Sequence, residues 1–272
     1  MSFTESKPED RPPDSAPAAA APTPPEQLPP RVSVRLPQRI PYVAYAILGL
    51  TVFVYLLQVV TANGLLDMGR SCPYFFEFDL PVCYGLKAND LILAGQWWRL
   101  IAPVLLHGSI LHIGFNMYAL YVLGPELENL FGHLAFLALY LAAGFSGFVV
   151  SFLMTPADSL GASTAIFGLL AAQGVFVYRN QRIFGRRAAV ILRSIINIAV
   201  INFIIGLSPM IDNWGHLGGF LGGALFALIA SPDFRIAGDG PEFSLADQNP
   251  PGRALLATLA TVAIFAALTL LG

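Results

Sequence analysis

The chain has 272 residues, of which 56% are hydrophobic and only 12% are charged, with a net charge of −2. Soluble domains carry about 25% charged residues, and the mean hydropathy here is +0.65, so the composition indicates an integral membrane protein. The balanced charge gives no sign of a nucleic-acid partner. There is neither a phosphate-binding glycine loop nor a Cys/His cluster with metal-ligand spacing, and we therefore expect no cofactor and no metal.

The N-terminal part is a polar tail followed by an apolar run. Residues 1–38 are rich in proline, alanine and serine and lack the apolar core and cleavage site of a signal peptide, so we interpret them as a disordered tail without a catalytic role. The first span is predicted over residues 41–60, directly after Arg31, Arg35 and Arg39. Because positive charges flank the cytoplasmic ends of membrane helices, the N-terminus is predicted to be cytoplasmic.

A long loop over residues 61–96 follows on the opposite side of the membrane. Its mixture of charged and aromatic residues favours partial placement in the interfacial layer. It contains the two cysteines of the chain, Cys72 and Cys83, and the sequence leaves open whether they form a disulfide or stay as thiols. Trp98 and Arg99 then mark a predicted membrane boundary.

The second span, predicted over residues 100–123, contains three polar side chains, namely His107, His112 and Asn116. His112 and Asn116 are one helical turn apart and share a face. Both side chains can donate hydrogen bonds, so together they would hold an oxyanion in a water-accessible cavity. The alternative is that these polar residues only tie membrane helices to one another.

The next apolar stretch leads to a serine at a predicted helix start. Residues 124–132 are predicted to be a cytoplasmic turn and residues 133–154 the third span, after which Gly161 and Ser163 open an uncharged helix that reaches Tyr178. Free N–H groups and the helix dipole at such an end stabilise developing negative charge. A serine in this position is often only an N-cap, so its position alone does not make it a nucleophile.

Three more spans complete an alternating topology. Four arginines within residues 179–187 predict a cytoplasmic loop, and further spans are predicted over residues 188–207 and 214–230. Residues 231–253 are predicted to be a polar cytoplasmic loop. The last span, residues 254–271, has no polar anchor; we interpret it as scaffold that leaves the C-terminus outside.

His216 lies at the start of the sixth span, where an ionisable side chain is costly and indicates a functional site. Gly219 and Gly223 follow at helical spacing, so the imidazole shares a face with residues that let another backbone approach closely. The second, fourth and sixth spans all begin on the same side, so Ser163 and His216 are predicted at a similar depth. They are the candidate nucleophile and base.

These motifs resemble those of the rhomboid intramembrane serine proteases, over about residues 40–230. Several motifs in one order form a stronger signal than a GxS motif alone. The matching residues are Trp98 and Arg99, then His107, His112 and Asn116 in the spacing HxxxxHxxxN, Leu123 and Gly124 with Glu128, Gly161 and Ser163 in GxS, and His216 with Gly219 in HxxG.

The resemblance implies an all-α polytopic membrane protein with a six-helix catalytic core over residues 39–230. A cytoplasmic linker over residues 231–253 and one additional transmembrane helix over residues 254–272 would follow. The implied substrates are transmembrane proteins, cleaved where their helix unwinds, because a peptide bond inside a hydrogen-bonded helix is closed to attack. A bacterial inner membrane is the expected location, since the N-terminus lacks an Arg-rich amphipathic presequence.

The resemblance also implies roles for individual residues. Ser163 would attack the peptide carbonyl, with His216 as general base and then acid. The oxyanion would be stabilised by His112, Asn116 and the Ser163 N–H. The remaining matches fall on positions with structural roles, namely Trp98, Arg99, His107, Glu128, Gly161 and Gly219.

One position departs from the family pattern, because Thr164 follows the nucleophile where glycine is usual. Its β-branched side chain is expected to crowd the oxyanion or the substrate backbone. This supports the alternative of a rhomboid-like protein that binds membrane clients without cleaving them, whereas the presence of both Ser163 and His216 favours the protease. Asp212 lies four residues before His216, and the sequence leaves two alternatives for it: it would orient His216, or it would be exposed to solvent. A transporter is disfavoured because the polar residues cluster at one depth.

Overall fold

The computed structural model describes residues 39–63, 79–208, 211–237 and 244–271. The tail predicted over residues 1–38 lies outside these ranges. Ten α-helices and one two-stranded antiparallel hairpin occur in the described part of the chain. The elements are α1 Tyr42–Ala62, α2 Leu80–Gly85, α3 Asn89–Leu93, α4 Ile110–Phe131, α5 His133–Met154, α6 Ser163–Arg179, α7 Gln181–Phe184, α8 Arg186–Ile205, α9 Asn213–Ala230, β1 Phe234–Ala237, β2 Ser244–Asp247 and α10 Arg253–Leu271.

The α-helix within the second predicted span begins later than residue 100. The residues before α4 form two 3₁₀ turns, Trp97–Leu100 and Ala102–Leu105, with Pro103 in the second. The α-helix begins only at Ile110, because Ser109 caps it by accepting a hydrogen bond from the His112 N–H at 3.2 Å. A run of apolar residues therefore does not by itself show where the α-helix begins.

The predicted turn after that span is wrong, since α4 continues through Pro125 to Phe131. Gly124 packs against α1, where an added Cβ would lie 3.0 Å from Ala44 Cβ. The helix ends at Gly132, whose φ of +83° lies in the left-handed region that favours glycine. Packing against α1 outweighs the local turn signal of the Gly-Pro pair.

Glu128, near the end of α4, holds the start of α1. Its buried carboxylate accepts hydrogen bonds from the N–H groups of Val43 at 3.0 Å and Ala44 at 2.7 Å, and it also contacts His133 Nδ1. A carboxylate at a helix N-terminus satisfies free N–H groups and complements the helix dipole. The position of Glu128 therefore ties α1 to α4 and the start of α5.

The segment between α1 and α4, predicted to be a partly interfacial loop, contains the short helices α2 and α3 where it is described. Asp79 begins α2 by accepting a hydrogen bond from the Val82 N–H at 3.1 Å. Cys83 is buried and disulfide-bonded, so it is not a free thiol. Cys72 lies outside the described ranges.

Four of the described helices, α1, α5, α8 and α10, are long and apolar enough to cross a membrane. The helices that carry the candidate site residues, α4, α6 and α9, are not among them. Helix α6 has 17 residues, so its length is about 26 Å, whereas the hydrocarbon core of a membrane is about 30 Å thick. It packs against α4, α5, α8 and α9. Helix α6, which carries Ser163, thus packs against two of these apolar helices, α5 and α8.

The contact between α6 and α9 is built on glycine. A Cβ added to Gly219 would overlap the Thr164 carbonyl oxygen, and one added to Gly223 would overlap the backbone of Gly168. Gly168 in turn leaves room for Ala143 on α5. The close approach that the glycine face of α9 predicts is therefore present, and it joins α5, α6 and α9 into the centre of the fold.

The polar segment predicted as a loop over residues 231–253 contains the antiparallel pair β1 and β2. It is attached to the end of α6 by Asn180, which is buried. The Asn180 side chain donates to the Pro232 carbonyl at 2.9 Å and accepts from the Phe234 N–H at 2.9 Å. Helix α10 follows and packs against α5 and α9.

Candidate active site

Ser163 and His216 meet where α6 and α9 begin. The Ser163 Oγ lies 2.9 Å from His216 Nε2, within hydrogen-bond distance. His216 is 8% exposed and Ser163 is partly buried. Both residues belong to the first turn or two of their helices, and the glycine contact at Gly219 brings those turns together. A hydroxyl held on an imidazole is the arrangement that nucleophilic catalysis requires.

The imidazole of His216 is oriented by an aromatic ring. Phe167 stacks on it with a centroid separation of 4.3 Å and an interplanar angle of 14°, and Phe203 of α8 packs on Phe167 at 5.1 Å. His216 Nδ1 is buried and has no hydrogen-bond partner among the described residues. Sequence reasoning missed Phe167, although it follows Ser163 by one helical turn and so shares its face.

Asp212 caps the helix that carries His216 and forms no hydrogen bond with the imidazole in the described structure. Its Oδ1 accepts a hydrogen bond from the Gly215 N–H at 2.8 Å, which makes it the N-cap of α9. No hydrogen bond among the described residues supports the interpretation that Asp212 orients His216. The carboxylate instead defines where the helix that carries His216 begins.

His112 lies beside Ser163 across a glycine. A Cβ built on Gly161 would be 2.8 Å from both Cε1 and Nε2 of His112 and 3.5 Å from Ser163 Oγ. Gly161 also has a φ of +134°, a conformation that side chains disfavour. Glycine is thus required here both by backbone conformation and by the position of His112. Asn116 lies one turn farther along α4 and is buried.

His107 supports this corner from the segment before α4. Its backbone N–H and carbonyl both pair with the Gln58 side chain of α1, at 3.0 Å and 3.2 Å. Its ring meets that of His112 edge-on at 4.9 Å, and its Nε2 lies 3.5 Å from the Ala162 N–H. Gln58 was missed by sequence reasoning, although an amide side chain within the apolar first span was a signal.

Trp98 and Arg99 hold the segment that contains α2. Arg99 is fully buried and donates to the carbonyls of Leu86 at 2.7 Å and Cys83 at 2.6 Å. Trp98 is about half exposed, and its Nε1–H donates to the Tyr84 carbonyl at 2.8 Å. Neither side chain forms a hydrogen bond with Ser163 or His216 in the described part of the structure. Their contacts are those of residues that hold a loop in place.

The Thr164 side chain points away from Ser163. It is 2% exposed, and a Cβ added to Gly147 of α5 would lie 2.5 Å from Thr164 Cβ. A Cβ added to Gly215 of α9 would lie 3.1 Å from Thr164 Cγ2. The expectation that Thr164 crowds the oxyanion is wrong, because successive helical residues are rotated by about 100° and this one faces the α5–α9 interface.

Residues 94–233, which run from the 3₁₀ turns to the segment before β1, match the rhomboid domain. The chain belongs to the rhomboid family. It is 44% identical over 143 residues to "Rhomboid protease GluP" of Bacillus subtilis (strain 168), and the aligned region covers 52% of this chain and 28% of that protein. It is 32% identical over 164 residues to "RHOMBOID-like protein 9, chloroplastic" of Arabidopsis thaliana, covering 60% of this chain and 38% of that protein.

A third relative is "RHOMBOID-like protein 5" of Arabidopsis thaliana, 38% identical over 155 residues that cover 55% of this chain and 50% of that protein. The chain thus spans half or less of the length of these curated relatives. Family membership and the apolar helices establish an integral membrane protein with an all-α polytopic fold. The membrane and rhomboid assignments from the sequence are confirmed.

Proposed function

We propose that this protein is an intramembrane serine endopeptidase that cleaves transmembrane segments of other membrane proteins. The observation that carries the proposal is the 2.9 Å hydrogen bond between Ser163 Oγ and His216 Nε2. It is supported by membership of a family with a relative named as a protease. The similarity to that relative is limited to 143 aligned residues.

In the proposed reaction His216 takes the proton of Ser163 as Oγ attacks the scissile carbonyl. The protonated imidazole then gives this proton to the leaving amine, so the peptide bond breaks and an acyl-enzyme forms. His216 then takes a proton from a water molecule as its oxygen attacks the ester carbonyl. The bond between the acyl carbon and Oγ breaks, His216 returns the proton to Oγ, and the carboxylic acid product leaves. Phe167 restricts the imidazole to one plane throughout, which keeps Nε2 directed at Oγ.

The developing oxyanion is proposed to bind at the start of α6. The Ser163 N–H belongs to the first turn and has no partner within its own helix, and the helix dipole favours negative charge there. His112 lies beside Gly161 in the same corner, and Asn116 follows on α4. We propose that these two side chains donate the remaining hydrogen bonds.

The proposed orientation puts the Ser163 end of α6 on the non-cytoplasmic side. Arg179 ends α6, and Arg182, Arg186 and Arg187 follow directly at the same end. Positive charge favours the cytoplasmic side, so the N-terminus is proposed to be cytoplasmic and the C-terminus non-cytoplasmic. A bacterial inner membrane is the proposed location.

The alternative of a client-binding protein that does not cleave was based on the crowding expected from Thr164. The side chain of Thr164 is instead packed between α5 and α9. That alternative therefore has no supporting observation in the described part of the chain, and the protease is the function we propose.

The test compares purified wild type, Ser163→Ala and His216→Ala in proteoliposomes with a single-span test substrate. We expect cleavage by the wild type and a loss of roughly 10⁴-fold or more in both variants. Gly49→Ala is the control, because a methyl group there meets nothing within 4 Å. Cleavage by Ser163→Ala at the wild-type rate would contradict the proposal. So would a wild type that binds the substrate and leaves it uncleaved.

A further inference from the structure

Lys87, between α2 and α3, is fully buried and holds the segment that leads to Ser163. Its Nζ donates hydrogen bonds to the carbonyls of Thr155 at 2.9 Å and Ala157 at 2.8 Å. Its backbone N–H and carbonyl both pair with Ser159 at 3.1 Å. One residue therefore anchors the chain from the end of α5 to within four positions of the proposed nucleophile.

The same ammonium acts on the residue that caps the His216 helix. Asp212 is the largest electrostatic partner of Lys87. The Asp212 carboxylate uses Oδ1 to cap α9 through the Gly215 N–H, whereas Oδ2 is buried without a hydrogen-bond partner among the described residues. A buried carboxylate oxygen without a donor is costly unless a positive charge lies nearby. Lys87 is a positive group that interacts electrostatically with this carboxylate, without an ion pair between the two in the described part of the structure.

The other charged groups around Lys87 belong to the neighbouring loops. Asp158 is its second electrostatic partner, and Asp158 is itself influenced by Arg99 and Asp90. Burial lowers the pKa of Lys87 to about 8, although Asp212 and Asp158 oppose this change. Burial also raises the pKa of Asp158. The charge on Lys87 therefore changes within an accessible pH range.

We infer that Lys87 is a positioning residue for the proposed dyad: its ammonium links the segment before Ser163 to the Asp212 cap of the helix that carries His216. Lys87 forms no hydrogen bond with either dyad residue, so it acts only through these two attachments. When it loses its proton, the partly buried Asp212 carboxylate loses this favourable electrostatic interaction and the start of α9 is less firmly held. The inference depends on the proposed function, because it assigns a role in the same site.

The inference predicts that the reactivity of Ser163 falls as the pH rises through about 8. Unfolding is not the expected cause. Because the pKa of Lys87 is below the usual value of about 10.4, the unfolded state binds more protons than the folded state between these two values. The titration of Lys87 by itself therefore makes the free energy of unfolding rise with pH between these two values. The reactivity of Ser163 is expected to fall over the same pH range.

The experiment measures the rate at which a fluorophosphonate probe labels Ser163 in the full-length protein, between pH 6 and 10. In this reaction Oγ bonds to phosphorus and fluoride leaves. Asp212→Asn keeps the capping oxygen but removes the charge, so the alkaline midpoint should move down by roughly one pH unit. Asp158→Asn should move it in the same direction by less. Glu126→Gln, an exposed carboxylate on α4, is the control that keeps the wild-type midpoint.

A double-mutant cycle separates the charge link from simple packing. Lys87→Met should lower the labelling rate by about tenfold or more, because it leaves the Asp212 charge uncompensated. Adding Asp212→Asn to Lys87→Met should recover at least about threefold of that loss. A residue that only fills space would show no such recovery.

The outcomes distinguish this inference from the proposed function. A wild type that labels, with an unchanged midpoint in both aspartate variants and no recovery in the double variant, would overturn the role of Lys87 and leave the dyad intact. A folded wild type that does not label at any pH would overturn the dyad, and the role of Lys87 with it. A downward midpoint shift in either aspartate variant, together with recovery in the double variant, supports the inference.

Discussion

Helices α8 and α9 both pack against α6, but they do so in different ways. Helix α9 approaches until its backbone at Gly219 and Gly223 contacts that of α6. Helix α8 buries a narrow stripe, formed by Ala188, Ile195 and Ala199, and leaves most of its apolar surface exposed.

The difference between the packing of α8 and that of α9 has two causes: the surrounding lipid and the position of His216 on α9. Lipid is as apolar as leucine, so the exposed face of α8 needs no protein cover. If the Ser163–His216 pair acts as proposed, its hydrogen bond tolerates little displacement, because a shift of about 1 Å can cost about 100-fold in rate. The close contact is found at α9, which carries His216, and the loose one at α8, which carries neither residue of the proposed dyad.

Gly219→Ala is expected to have the largest effect, because the added methyl group overlaps the Thr164 carbonyl and must push α9 away from α6. We expect a loss of cleavage of about 100-fold or more and a lower thermal midpoint in detergent. Gly49→Ala on α1 adds the same methyl group in open space and should retain wild-type cleavage. Equal activity in the two variants would mean that the close contact of α6 and α9 does not set the dyad.

His112→Ala and Asn116→Ala extend the comparison to α4. Each should lower kcat by about ten- to a thousand-fold with a smaller change in KM, because oxyanion donors act mainly in the transition state. Steady-state kinetics on the test substrate, at matched thermal stability, measures this. Wild-type rates in both variants would remove them from the oxyanion role.

Substitutions of Thr164 test the packing of α6 against α5 and α9. Thr164→Gly should not increase cleavage, and it should lower the free energy of unfolding by roughly 1–3 kcal/mol, because it empties the space between Gly147 and Gly215. Thr164→Val keeps that shape and removes a buried hydroxyl that lacks a partner in the described structure, so it should be neutral or stabilising by about 1 kcal/mol. Faster cleavage by Thr164→Gly would restore the idea that threonine restrains the site.

Ile201→Ala on α8 should have the smallest effect, since this side chain is 55% exposed. We expect less than about a twofold change in cleavage and about 0.5 kcal/mol or less in stability. Ile195→Ala, on the buried stripe of the same helix, is the matched variant and should be more destabilising. If Ile201→Ala lowered cleavage and stability as much as Ile195→Ala, the exposed face of α8 would be a packed surface. This result would contradict the conclusion that α8 packs more loosely than α9.

The apolar spans could be predicted because their signal is local. The runs that became α1, α5, α8 and α10 are bounded by charges, prolines or polar turns, and their lengths suit a membrane helix. The glycine face of α9 was also predictable, since helical periodicity alone puts Gly219 and Gly223 on the side of His216. The start of α4 was not, because Ser109 and the 3₁₀ turns before it lie within one apolar run.

Sequence alone thus determined the family resemblance, the membrane helices and the candidate Ser163–His216 pair, since motif spacing and hydropathy are properties of short segments. Tertiary structure decided which neighbours each side chain meets. It packed Thr164 into the α5–α9 interface, stacked Phe167 on His216, and attached Lys87 to the segment before Ser163. These contacts depend on the rotation and separation of helices that are far apart in the chain, and no local pattern specifies either quantity.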